Sequence, residues 1–133
     1  MFGDNFLGFD YDVHVGEGLE PTPATRPNLQ GMWLSLTQKR IDVVGYHGNE
    51  IWLIEIKDRP MTASVGQVLS YDVLYAKDYS PATPVILAII AGIIEPDIET
   101  VLRHFKIRFY DLSDDHNFLL SSSNKPLVRS SPE

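Results

Sequence analysis

The run Val85-Ile86-Leu87-Ala88-Ile89-Ile90 constrains this chain more than any other stretch. A strand with one face in water alternates apolar and polar residues, whereas six consecutive apolar side chains need cover on both faces. The run therefore predicts a central, buried strand with helical neighbours over both of its faces. Even taken at its widest, residues 84–91, it is far short of a membrane span.

The flanking sequence supplies the helices. From Thr62 or Ser64 to Lys77, the residues Val65, Leu69, Val73 and Ala76 fall on one stripe at helical spacing. Pro96 stands where a helix favours its first proline, and Ile98, Val101, Leu102 and Phe105 continue an amphipathic helix to about Lys106. A last strand is predicted over residues 107–112. Upstream, residues 40–46 and 51–57 are rich in β-branched and aromatic side chains, and Gly48-Asn49 between them fits a two-residue hairpin turn. Before these, Asn28 offers an N-cap and Leu29, Met32, Trp33 and Leu36 recur at helical spacing, which predicts a core-packing helix to about Gln38. The order implies an α/β fold, a mixed sheet between helices joined by right-handed crossovers.

At the N-terminus Phe9, Tyr11 and Val13 alternate, as a strand or an extended arm would, and residues 16–27 hold the glycines and prolines of a loop. Residues 1–27 are thus expected as an arm and loop, 28–120 as the α/β domain, and the serine-, asparagine- and proline-rich residues 121–133 as a flexible tail. A chain of 133 residues with 44% hydrophobic content can bury one ordinary core. With no cysteine it offers no disulfide, thiol nucleophile or thiolate zinc site, and Asp4 stands where a signal peptide would be basic. The expectation is a soluble protein of the cytoplasm with no membrane association. The net charge of −7 opposes a strong non-specific grip on a polyanion. A bound divalent cation, and the local group Lys39, Arg40, Lys57 and Arg59, would offset it.

The chemistry gathers on the hairpin. With Gly48-Asn49 as the turn, His47 pairs with Glu50 and Tyr46 with Ile51, and the same ladder carries Asp42 opposite Glu55. Directly opposed residues have Cβ atoms roughly 4.5–5.5 Å apart, and like charges there are destabilising unless neutralised. A divalent cation is the natural neutraliser. Because side chains alternate, Glu55 and Lys57 share one face while Trp52, Ile54 and Ile56 take the other, so Asp42, Glu55 and Lys57 converge. Two carboxylates with waters and substrate phosphate suit magnesium, and a lysine beside them can orient a water or neutralise developing charge.

This arrangement resembles the PD-(D/E)xK nuclease superfamily, which includes restriction endonucleases and Holliday junction resolvases. The match runs from Arg40 to about Leu112, with Asp42 as the aspartate, Glu55-Ile56-Lys57 as the Glu-x-Lys and Gln67 and Tyr71 as the glutamine and tyrosine of the following helix. The resemblance implies a restriction endonuclease-like αβββαβ core and DNA phosphodiester hydrolysis. It implies Mg or Mn held by Asp42 and Glu55, with Lys57 catalytic and Gln67 assisting. It also implies a homo-oligomer or a partner protein in a larger assembly, and it is compatible with a phage-encoded protein of the host cytoplasm or virion. Relatives commonly add an acidic ligand from the first helix, and residues 28–39 contain none. Glu17 or Glu20 could substitute, while Gln30 and Gln38 offer only neutral oxygens. The alternative function is a catalytically degenerate nuclease fold acting as a structural or binding module in a phage particle or nucleoprotein assembly. His14, His47, His104 and His116 lack ligand spacing, and Arg103, Lys106 and Arg108 read as solvated residues.

Overall fold

The structure is a computed structural model and describes residues 6–19, 29, 38–113 and 129–130. Its elements are β1 (Gly8–Val15), β2 (Lys39–His47), β3 (Glu50–Lys57), α1 (Thr62–Tyr79), β4 (Val85–Ala91), α2 (Pro96–His104), β5 (Arg108–Asp111) and β6 (Arg129–Ser130). The six strands lie side by side in chain order. Pairing is antiparallel from β1 to β3, parallel from β3 to β5 and antiparallel at β6, so the sheet is mixed. The hairpin register is the expected one, with His47 opposite Glu50 and Tyr46 opposite Ile51. Gly48 in the turn has φ 57.

The alternating stretch near the N-terminus is an edge strand of the sheet, so part of the expected arm belongs to the domain. Likewise β6 falls inside the expected tail and pairs with β5. The predicted helix over residues 28–38 lies outside the described residues apart from Leu29 and Gln38, and Gln38 precedes β2 directly.

Helix α1 buries Ser64, Val65, Val68, Tyr71 and Tyr75. This corrects the predicted stripe: Val73 is 69% exposed. The buried face is rotated because Tyr71 and Tyr75 present large apolar rings to the sheet, and their area outweighs that of a single valine. Ser80 ends α1 in the left-handed region at φ 43, its N–H bonded to the carbonyl of Ala76, with Pro81 following. In α2, Pro96 opens the first turn, Asp97 and Glu99 sit near the positive end of the dipole, and Arg103 and His104 sit near the negative end.

Both helices pack on one face. Val65 and Val68 of α1 and Ile98 and Leu102 of α2 share a core with Ile89, Ile107 and Phe109. Strands β3, β4 and β5 are adjacent in sequence order, so two crossovers of the same hand bring both helices to the same side. Cover by helices on both faces is therefore not what the described residues show. Against the other face of β4, Val43, Trp52, Ile54 and Ala88 pack with Phe6, Phe9, Ile86 and Ile90. Strand β4 is interior in the sheet, but only Ala88, Ile89 and Ala91 of it are fully buried. No helix among the described residues is long and apolar enough to cross a membrane.

Gly45 sets the floor of that second layer. A Cβ there would lie 2.7 Å from Phe6 Cε1 and 3.2 Å from Phe9 Cε1, so the Phe6 ring rests on bare backbone beside Trp52. Gly45→Ala is expected to destabilise the fold by about 1–3 kcal/mol through overpacking, read from the denaturation midpoint. In the Phe6→Ala background the same substitution should cost clearly less; equal costs in both backgrounds would show that Phe6 is not the obstacle.

Candidate functional site

The β2–β3 ladder runs from His47↔Glu50 to Val43↔Ile54 and ends there. The next row is the predicted pair of Asp42 and Glu55. Instead of continuing the ladder, Asp42 Oδ2 accepts the backbone N–H of Ile56 at 2.8 Å. Past this row β3 is paired only on its other side, where Glu55, Ile56 and Lys57 run beside Ile89, Ile90 and Ala91. The strands part at the carboxylates.

The parting has a local cause. In β2, Val43 packs with Trp52 on one face while Ile41, two residues earlier, packs with Leu53 and Tyr71 on the other. In β1, Phe9 belongs to the first face and Val13 and Val15 to the second. Both strands change face at one row, where Asp12, at φ 52, stands across from Asp42 and is missing from an otherwise regular ladder. An L-residue in the left-handed region turns the chain sharply, and at the same row Asp42 reaches the Ile56 N–H of β3.

Glu55 is 4% exposed, and the Tyr71 hydroxyl donates to its Oε2 at 3.2 Å. Gln67, one turn earlier on α1, makes a side-chain hydrogen bond with Tyr71. Burial first, then the hydrogen bond and charge of Asp42, push the Glu55 carboxyl up to about 8, against the opposing effects of Tyr71 and Lys57. Burial and the neighbouring Glu55 likewise push the Tyr71 hydroxyl up, which keeps it a donor. Lys57 is exposed at the end of β3. The structure thus brings Asp42 and Glu55 into contact, with Lys57 near enough to act on Glu55 and with Gln67 linked to it through Tyr71.

The proposed substitute ligands lie elsewhere. Glu17 pairs with Lys77 at 3.3 Å, and Gln38 bonds Gly16 and His14. Glu20 and Gln30 lie outside the described residues. Among the described residues no group of three or more His, Cys, Asp or Glu side chains is placed to hold a metal ion. His47 bonds Glu50 and His104 packs on Phe105, while His116 lies outside the described residues. In the local basic group, Arg59 is engaged by Glu95 at 3.0 Å.

Sequence reasoning missed two features. One is the Ile56 N–H, which anchors Asp42 and has no signal beyond the register itself. The other is Asp111, 1% exposed, whose carboxylate accepts from the N–H groups of Ile94 and Ser113 and from the Ser113 hydroxyl. The Asp-Leu-Ser spacing, a carboxylate two residues before a backbone donor, is its one sequence signal. Comparison of the chain with family models, curated proteins and solved structures found no match.

The Glu55 shift has a consequence in the absence of divalent cation. The folded protein holds this proton to about pH 8, whereas an unfolded chain releases it near 4.5. The native state therefore binds more protons across that window, and stability falls as pH rises through it. Thermal denaturation in chelator between those limits should show the decline, and Glu55→Gln should flatten it. An undiminished slope in that variant would assign the dependence to another group.

Proposed function

We propose that this chain is a magnesium- or manganese-dependent nuclease of the PD-(D/E)xK type that hydrolyses phosphodiester bonds in DNA. The observation that carries this reading is the meeting of Asp42 and Glu55 at the row where β2 and β3 part. Two carboxylates, one of them buried, are costly neighbours, and a hard divalent cation is the partner that suits them. The order β1, β2, β3, α1, β4 is compatible with the strand-strand-strand-helix-strand portion of a restriction endonuclease-like core, which supports the reading.

Asp42 and Glu55 would hold the cation, which when bound supplies polarisation of the phosphate and a water of lowered pKa. Tyr71 orients Glu55 by donating to Oε2. Lys57, at the exposed mouth, presents its ammonium to an incoming phosphate and can neutralise charge that develops on it. Gln67 makes a side-chain hydrogen bond with Tyr71 and so helps to hold its hydroxyl. With a net charge of −7, a grip on DNA calls for additional cations, which a second copy or a partner protein would bring.

A second reading is favoured by one observation: only two acidic side chains meet at the site among the described residues. It is a nuclease-like fold without catalysis, serving as a structural or binding module in a nucleoprotein assembly or a phage particle.

The test is cleavage of supercoiled, linear, single-stranded and branched DNA with magnesium or manganese. Metal-dependent cutting is expected from the wild type. Asp42→Ala, Glu55→Ala and Lys57→Ala should each lower it by about 100-fold or more. Undiminished cutting by the two carboxylate variants would overturn the assignment. A folded wild type that neither cuts nor gains thermal stability from manganese would establish the module instead.

A further inference from the structure

Beyond the Asp12 and Asp42 row, the end of the β1–β2 ribbon folds over α1. Val13, Val15 and Ile41 pack there against Tyr71, Leu74 and Tyr75. A polar latch closes over this layer. The Gly16 N–H donates to Asp78 Oδ2 at 2.8 Å, and Gln38 Nε2 donates to the Gly16 carbonyl at 2.8 Å. Gln38 Oε1 meets His14 Nδ1 at 3.2 Å, and the Tyr79 hydroxyl donates to the His14 carbonyl at 3.4 Å. Gly16 has φ 81, and a Cβ there would lie 3.3 Å from Leu74 Cδ1, so glycine lets the backbone come down onto the helix.

These contacts bear on the site through connectivity. The β2–β3 ladder ends at Val43↔Ile54, so past that row β2 is paired as a strand with β1 alone among the described residues, through Ile41, Arg40 and Lys39. Strand β1 is held in turn by α1 through Gly16 and Asp78. Helix α1 holds Glu55 through Tyr71. A closed ring results: Asp42, β2, β1, Gly16, Asp78, α1, Tyr71, Glu55. Across the cleft, besides the apolar layer, the Ile56 N–H donates to Asp42 and the Asp42 and Glu55 side chains share a hydrogen bond.

We propose that Asp78, acting through Gly16 and Gln38, is a positioning residue that sets the separation of Asp42 from Glu55. Its carboxylate accepts a backbone N–H at the far end of the ribbon, and that bond adds a polar tie to the apolar layer that seats this arm of the cleft on α1. The proposal rests on reading Asp42 and Glu55 as the site, but its first readout needs no metal. The Ile56 amide reports the Asp42 contact directly, through its hydrogen exchange rate.

In Asp78→Ala, exchange at Ile56 should quicken by about tenfold relative to a core amide such as that of Ile89, because a charge-assisted bond has been lost from the ring. Asp78→Asn keeps an acceptor oxygen without the charge and should restore most of the wild-type protection. Lys77→Ala, which removes only the exposed pair with Glu17, should leave Ile56 unchanged. Should Asp78→Ala not fold, Gln38→Ala cuts the other side of Gly16 and should give the same selective change. A purely structural role predicts instead that Ile56 and Ile89 quicken by the same factor, and that result, or no change at Ile56, would overturn the proposal. Manganese binding followed by thermal shift separates the two readings. Selective quickening at Ile56 in a protein that binds no manganese would uphold the positioning role and remove the nuclease. Manganese binding equally tight in wild type and Asp78→Ala would uphold the metal site and remove the positioning role.

Discussion

Everything around the candidate site depends on a conflict between two carboxylates that the hairpin register makes unavoidable. Once Gly48-Asn49 turns the chain, Asp42 and Glu55 occupy the same row, and a continuous ladder would set two like charges directly opposite each other. The structure answers by ending the ladder one row early. Asp42 rotates into the gap and takes the Ile56 N–H, which satisfies a donor that β2 would otherwise have bonded. The cleft thus coincides with the row where β1 and β2 change face, with Asp12 in the left-handed region and Asp42 bonded to the Ile56 N–H.

Burial turns that cleft into a site. Glu55 sits under α1 because Val65, Val68, Tyr71 and Tyr75 press the helix onto β3 and β4, and the tyrosine that fills the core also carries the hydroxyl that meets the carboxyl. The core aromatic and the site residue are therefore the same side chain. Burial and a neighbouring carboxylate both raise Glu55, so the folded site holds a proton that an exposed glutamate would release. The exposed Lys57 opposes that rise from the solvent side without removing it.

Much of this was legible in the sequence, for reasons that can be named. The hairpin register followed from turn chemistry, and the two helices and β4 followed from periodicity and proline placement. The convergence of Asp42, Glu55 and Lys57 followed from register plus alternation. What the sequence did not reveal depends on long-range packing. The buried face of α1 was misjudged because counting aliphatics gave Val73 the weight that Tyr71 and Tyr75 carry through area. The placement of both helices on one face depends on strand order, which periodicity does not encode. The change of face at Asp12 and Asp42 breaks the alternation rule itself, and an aspartate in an otherwise regular strand gives little warning of φ 52.

The charge distribution fits a site whose grip is local. Of the described cations, Arg59, Lys77 and Arg103 are engaged by Glu95, Glu17 and Glu99, and Arg108 lies 5.6 Å from the centre of the Trp52 ring. Exposed pairs of this kind contribute about 0–1 kcal/mol each and mainly cancel one another's field. Lys39 and Arg40 open the same strand that carries Asp42, and Lys57 follows Glu55 by two residues. A cation bound between those carboxylates would offset their charge, leaving these three side chains to face an anion. The site would then attract phosphate only when loaded. Without the cation, the same residues sit within a chain of net charge −7, and a polyanion meets repulsion.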